Sequence, residues 1–271
     1  MDEKYFEANK KMWNEFAKEH FKTESDFYNV REFLEGKTTL RKFEQEEIGD
    51  VKGKKLLHLQ CHFGLDTLSW VREGAIVTGV DFSDEAIKLA NQLSEQAKLK
   101  ANFICANVYD LPSVLDEKFD IAYTSVGVLC WLNDLKKWAE VIAHTLKPGG
   151  IFYICDGHPL SHIFDVDEKE NFIPKHDYFP KNEPMEFIAD GSYAAKDKHM
   201  EPTTEYEWNH SLSEIINSLI NAGLRIQFLN EYPFSSMQIY SFTEQDENGY
   251  YRIPKTKIQI PIIFTLKAVK D

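Results

Sequence analysis

The sequence predicts an α/β fold, doubly wound about a mostly parallel sheet, with helices in front of it and an irregular insertion inside it. Three observations carry that prediction. Between residues 55 and 155, short apolar runs alternate with stretches of helical periodicity. The first run ends in Gln60-Cys61-His62-Phe63-Gly64 and leads straight into a helix, and the second ends in an acid, Asp81. Such alternation builds βαβ units with right-handed crossovers, hence a parallel sheet covered by helices on both faces.

The first fifty residues read as helical. Phe6, Asn9, Trp13, Phe16 and Ala17 share one face of the first helix. A second helix is expected from Asp26 to Glu35, capped by Ser25 and stopped by Gly36, and a third over about Leu40 to Ile48. Lys55–Gln60 reads as a strand and Leu65–Arg72 as a helix ending near Gly74; Ile76–Val80 is the next strand. Asp84–Gln96 is a helix capped by Ser83, with acids in its first turn where the helix dipole favours them. Asn102–Cys105 and Asp120–Thr124 are strands. Asn133–Leu146 is a helix capped by Asn133 and closed by Lys-Pro-Gly-Gly, and Ile151–Cys155 is a fifth strand.

Beyond Cys155 the pattern breaks. Residues 157–202 are rich in His, Pro, Asp and aromatics and show no sustained period. Thr204–Asn209 reads as a strand. Ser211-Leu-Ser-Glu214 is a capping-box pattern, followed by Leu212, Ile215, Ile216, Leu219 and Ile220 on one face and a stop at Asn221-Ala-Gly223. Arg225–Asn230 and Lys257–Ala268 read as closing strands. Pro261 makes the last one an edge strand or interrupts it.

Composition narrows the function. A chain of 271 residues, 43% hydrophobic and 28% charged, suits one large domain. It holds no apolar run near the roughly 20 residues of a membrane span. Its polar N-terminus does not read as a secretory signal, so a cytoplasmic location is expected. Cys61, Cys105, Cys130 and Cys155 form no C-x-x-C pair; they read as small buried hydrophobes, with no metal site. A net charge of −13 without a Lys/Arg cluster argues against nucleic acid and anionic membranes. A small-molecule partner is expected, a basic protein being the alternative. Nothing in the pattern sets an oligomeric state.

The loop between the first strand and its helix occupies the ligand position of a Rossmann-like fold, over the carboxyl ends of the strands. An acid about twenty residues further on can accept from both hydroxyls of a ribose, and Asp81 stands there. LLHLQCHFG, VTGVDFS, CANVYDLP, FDIAYTSVGVLCWL and LKPGG, in that order, resemble the class I S-adenosylmethionine (SAM)-dependent methyltransferases over about residues 51–156. The resemblance implies a seven-stranded sheet of order 3-2-1-4-5-7-6 with the last strand antiparallel. It further implies one domain over 1–271: a cap (1–50), a SAM-binding core (51–156), an insertion forming the acceptor-pocket lid (157–210) and a closing unit (211–271). The family's acid-x-Gly-x-Gly-x-Gly loop appears here as His58, Gln60, His62 and Gly64, so only the last glycine matches. This HLQCxFG loop reads as a subfamily variant.

Carried over by position, the resemblance implies that Leu59, Gln60, Cys61 and Gly64 border the methionine and ribose. Asp81 binds the ribose hydroxyls and Phe82 lies against the adenine. Asn107 accepts from the adenine amino group, Val108 offers its backbone N–H, and Ser125 and Val126 lie beneath the sulfur end. SAM is the implied cofactor and S-adenosylhomocysteine (SAH) its product.

Other residues admit two readings. His58 is a cofactor contact or a core histidine, and His62 a ligand contact or a loop residue. His158, in Asp156-Gly-His-Pro159, is the candidate general base, with a simple turn as the alternative and His162 a weaker candidate. Trp13 and Tyr28 read as helix-packing residues before pocket caps, and Trp131 and Trp138 as packing for the helix after the fourth strand. Tyr206, Trp208 and His210 share a strand face, either a pocket wall or an ordinary sheet face. The function implied is methyl transfer to a small molecule by in-line displacement, which demands alignment more than acid–base chemistry. The alternatives are a SAM-binding protein without transferase activity, a protein methyltransferase, and a dinucleotide-dependent oxidoreductase; the last predicts a glycine-rich loop that the sequence lacks.

Overall fold

Three helices precede the sheet: α1 (Glu3–Lys22), α2 (Val30–Leu34) and α3 (Lys42–Ile48). The computed structural model describes residues 3–23, 28–189, 191–194 and 203–271. The expected cap Ser25 and start Asp26 of the second helix lie outside the described residues. Asn29 caps α2 by accepting from the Glu32 amide at 3.0 Å. In α3 the Glu44 carboxylate turns back to accept from the Arg41 amide and guanidinium.

The alternating core follows as β1 (Lys55–Leu59), α4 (Leu65–Arg72), β2 (Ile76–Asp81), α5 (Asp84–Ala97), β3 (Asn102–Cys105), α6 (Leu111–Val114), β4 (Phe119–Thr124), α7 (Leu135–Thr145) and β5 (Leu146–Gly157). Several boundaries shift from the sequence reading, β5 most, and two differ in their local chemistry. Asp134, not Asn133, caps α7 by accepting from the Lys137 amide at 2.9 Å. Lys-Pro-Gly-Gly does not close that helix from outside but lies in the opening residues of strand β5, where a register irregularity against β4 absorbs it.

The insertion is not structureless. It contains two antiparallel pairs, β6 (Phe164–Val166) with β7 (Phe172–Pro174) and β8 (Met185–Ala189) with β9 (Thr203–Glu207). The chain then forms α8 (Leu212–Asn221), capped by Ser211, and β10 (Leu224–Tyr232). Three short strands absent from the sequence reading, β11 (Phe234–Ser235), β12 (Glu244–Gln245) and β13 (Tyr251–Arg252), make a small separate sheet. β14 (Ile263–Lys270) begins only after Pro261, which has no N–H to give a ladder. Far from being an edge, β14 lies between β5 and β10 and runs antiparallel to both.

The main sheet has seven strands in the order β3-β2-β1-β4-β5-β14-β10. The sequence reading numbers it 3-2-1-4-5-7-6. The difference in labels arises because short strands outside the sheet intervene before β10 and before β14. Alternate residues of β1 serve opposite faces. Leu57 and Leu59 join Phe152, Trp138 and Ile142 under α7 and α8, whereas Leu56 joins Trp70, Tyr123 and Tyr153 on the other side. His58, with the parity of Leu56, faces that second layer, its ring 4.8 Å from that of Tyr123. No described helix is long and apolar enough to cross a membrane.

Candidate functional site

The turn out of β1 is built from residues that resist it. Gln60 and His62 have φ of 56° and 50°, and Gly64 has 81°. Left-handed backbone costs a residue with a Cβ roughly 1–2 kcal/mol, so neighbouring bonds must hold the loop. The Cys61 amide donates to Val80 O at 2.9 Å, the His62 amide to Asp81 Oδ2 at 2.8 Å, and Gln60 Nε2 to Val128 O at 3.3 Å. Gly64 is required: a Cβ there would meet the Phe103 ring at 2.8 Å.

Over the carboxyl ends of β1, β2 and β4 lies a cavity of about 470 Å³, within the range of small-molecule sites. Its floor is Gln60 to Gly64, Asp81 and Phe82, and Ser125 to Val128. Trp13 of α1, Tyr28 and Trp131 supply aromatic walls, while Tyr193 and Glu207 come from the insertion and Ser236 and Met237 from the segment after β11. A smaller hollow of about 40 Å³ adjoins it, sharing Gln60, Asp81 and Phe82 and adding Phe6, Asn107 and Val108.

The sequence candidates therefore divide. Gln60, Cys61, Gly64, Asp81, Phe82, Ser125 and Val126 line the cavity; Asn107 and Val108 line the adjoining hollow. Leu59 does not: its fully buried side chain lies in the hydrophobic layer under α7 and α8, because strand alternation turns it away. His158 also stands apart. Its Nε2 lies 2.8 Å from a Glu231 carboxylate oxygen and its Nδ1 accepts from the Leu160 amide, in the turn that leaves β5. His162 borders a separate small hollow beside Asp156. Trp13, Tyr28 and Trp131, read as packing residues, form cavity walls, with Trp13 and Trp131 rings 5.3 Å apart. Trp138 packs edge-on against Phe152.

Tyr206, Trp208 and His210 are buried but line no part of the main cavity, and His210 Nε2 lies 2.7 Å from Leu132 O. Of the opposite parity, Glu207 lines the cavity. Arg41, Tyr193, Glu207, Ser236 and Met237 are lining residues missed in the sequence. The alternation in TEYEWN was the available signal for Glu207. The cysteines also differ from expectation: Cys61 and Cys155 are buried, Cys130 is half-buried and Cys105 is exposed.

Burial dominates the electrostatics. It pushes the Asp81 carboxyl up to about 6, opposed by the Ser83 and His62 amides that donate to it. Asp66 is likewise raised to about 6 by burial, against the pull of Arg41. His58 is lowered to about 3 by burial and is therefore neutral; one ring nitrogen lies 2.8 Å from Thr67 Oγ1 and the other 3.1 Å from Ser125 Oγ. It is thus a core-bonded histidine that also reaches the cavity wall. His62 is held low by burial and by His20, whose Nδ1 is 3.0 Å from His62 Nε2. Three polar atoms of the lining are buried without a partner among the described residues: Gln60 Oε1, an acceptor, and Trp13 Nε1 and Arg41 Nε, both donors.

Architecture and cavity position converge with what is known of other proteins. The structure of a SAM-dependent methyltransferase from Mesorhizobium loti superposes with a TM-score of 0.58 at 19% identity, over 88% of this chain and 100% of that one. The fold is that of the SAM-dependent methyltransferases. A second such structure, from Clostridium acetobutylicum, gives a TM-score of 0.55 at 15% identity over 84% and 88% of the two chains. Residues 57–154 match the family model described as a methyltransferase domain. This methyltransferase-like core is 32% identical over 135 residues to a ubiquinone biosynthesis O-methyltransferase of Coxiella burnetii. That stretch is 47% of this chain and 57% of that relative, so the chain spans a little over half the length of the curated relative it matches.

Proposed function

We propose that the protein is a SAM-dependent methyltransferase acting on a small molecule. The observation that carries this is a pair of unpartnered polar atoms, Gln60 Oε1 and Trp13 Nε1, beside the buried Asp81 carboxylate in one aromatic-walled cavity. Buried polar groups in folded proteins are normally satisfied, so an orphan acceptor and an orphan donor on residues that line one cavity fit a ligand rich in hydroxyl, ammonium and carboxylate groups. SAM has all three.

Bound there, SAM supplies a methyl group on a sulfonium, a carbon activated toward a nucleophile. The chain supplies placement. Asp81 accepts from the ribose hydroxyls, Phe82 offers its ring to the adenine, and Gln60 accepts from the methionine end. Asn107 Oδ1 already accepts from the Tyr109 amide at 3.1 Å; its remaining lone pair is directed to the adenine amino group, beside the Val108 amide. Ser125, oriented by His58, lies under the sulfur end with Val126. His58 thereby takes the place of the family's acid without adding charge. The HLQCHFG loop is a variant in which the Gln60 and His62 side chains replace backbone contacts. Trp13, Tyr28 and Trp131 exclude water, so that the reacting atoms meet at near-attack distance. We assign residues 1–50 to the roof, 51–156 to cofactor binding, 157–210 to the acceptor side and 211–271 to closing the sheet.

Calorimetric titration with SAH tests the reading. One site per chain, weakened at least tenfold by Asp81→Ala and by Gln60→Ala, is the expected result. Stabilisation by NAD(P)H but not by SAM or SAH would overturn it, and tight SAM binding without turnover across a broad acceptor panel would remove the transferase.

A further inference from the structure

We propose that Glu207 is the acceptor-side base of this cavity and that the acceptor it serves is an amine. The inference rests on the methyl-transfer reading above and adds the substrate class and the residue that meets it.

Glu207 ends β9, and the next residue ties it to the floor of the cavity: the Trp208 amide donates to Cys130 O at 2.8 Å. That bond sets Glu207 against the segment following Ser125 and Val126, where the sulfur end is placed. Every other carboxylate in the lining has a partner. Asp81 accepts from two amides, Asp66 from Thr39 Oγ1, and Glu32 pairs with Lys37. The Glu207 side chain has no hydrogen bond or ion pair among the described residues. The one charge acting on it is Glu205, of the same sign. Arg41, at the cavity wall, is already committed to Glu44 at 2.9 Å. The described lining of the same cavity includes Cys130 and the Tyr193 and Trp131 rings, and its cations, Lys37 and Arg41, pair with Glu32 and Glu44.

A half-buried carboxylate with no counter-charge among the described residues, in a cavity with aromatic walls, favours a cationic guest, both by charge and by the ring quadrupoles. Burial and then Glu205 raise its carboxyl to about 7, the range in which a group accepts and returns protons at neutral pH. An amine entering as R–NH3+ gives one proton to the Glu207 carboxylate. The nitrogen pair so freed forms the new N–C bond while the C–S pair departs to sulfur. Loss of a second proton to water leaves the neutral methylated amine, and Glu207 releases its proton on product exit.

Matched probes on the SAH-loaded full chain test this without knowledge of the natural acceptor: benzylamine, benzyl alcohol and benzoate, titrated by calorimetry at pH 7.5. Benzylamine should bind at least tenfold tighter than either control. Glu207→Gln should erase that preference while leaving SAH affinity within twofold, and Glu207→Asp should restore part of it. In a second titration, sinefungin, which carries an amino group where SAM carries the transferred methyl, should lose at least fivefold in Glu207→Gln. Benzoate binding best, an unchanged preference in Glu207→Gln, or binding of none of the three together with unchanged sinefungin affinity overturns the proposal. Failure of SAH itself to bind refutes the methyl-transfer reading instead.

Discussion

Asp81→Asn separates the ligand-binding task of this carboxylate from its effect on stability. The buried carboxyl sits at about 6, against 3.8 for an ordinary aspartate. At about 1.36 kcal/mol per tenfold change in proton affinity, the ionised form is disfavoured in the fold by about 3 kcal/mol. Because the folded value lies above the unfolded one, the native state holds the extra proton between them. The contribution to stability is therefore full below about pH 4 and is lost as pH rises through 6, with about half of the loss complete at pH 5. Asparagine has no such titration. It can accept from only one of the Ser83 and His62 amides, which sets a pH-independent offset of about 1–3 kcal/mol against it. Urea unfolding at pH 5 and pH 8 should then show the gap between wild type and Asp81→Asn shifting by about 1.4 kcal/mol toward the mutant at the higher pH. SAH binding, measured alongside, should be strongly weakened at both. Two stability profiles that stay parallel across this window would refute the assignment of the titration to Asp81.

Three further outcomes follow from the geometry. Gly64→Ala combines a φ of 81° with a Cβ 2.8 Å from the Phe103 ring; it should lose about 2–4 kcal/mol in chemical denaturation and weaken SAH binding. Glu47→Ala orphans Tyr153 Oη, Asn230 Nδ2 and Tyr232 Oη, which donate to its carboxylate at 2.7, 2.7 and 2.6 Å. A stability loss of about 2–4 kcal/mol is expected, with SAH affinity in the folded protein unchanged. His158→Ala should lower stability by about 1–2 kcal/mol and leave SAH affinity within twofold, since its partners are Glu231 and the Leu160 amide; a tenfold loss of affinity would return His158 to the site.

Local periodicity made the core of the fold legible. Leu65–Arg72 and Asn102–Cys105 coincide with α4 and β3, because each is a regular element bounded by its own turn residues. The small sheet of β11 to β13 was not legible: two-residue strands carry no period. In the cavity, the floor residues were readable because the chain order places them at strand ends. The walls were not. Trp13 and Trp131 have the spacing of ordinary packing residues, and only the third dimension shows that they pack edge to face as one wall of the cavity. Arg41, Ser236 and Met237 come from segments far apart in the chain, for which no sequence period exists.

A pair of hydrogen bonds joins the roof to the acceptor side. Asn9 of α1 donates to Tyr206 O and accepts from the Tyr206 amide, both at 2.8 Å, so its side-chain amide mimics a neighbouring strand at the edge of β9. The helix bearing Trp13 and the strand bearing Glu207 are thereby yoked. Asn9 also lines the smaller hollow beside Asn107 and Val108, so the residue that ties helix to strand borders the place assigned to the adenine.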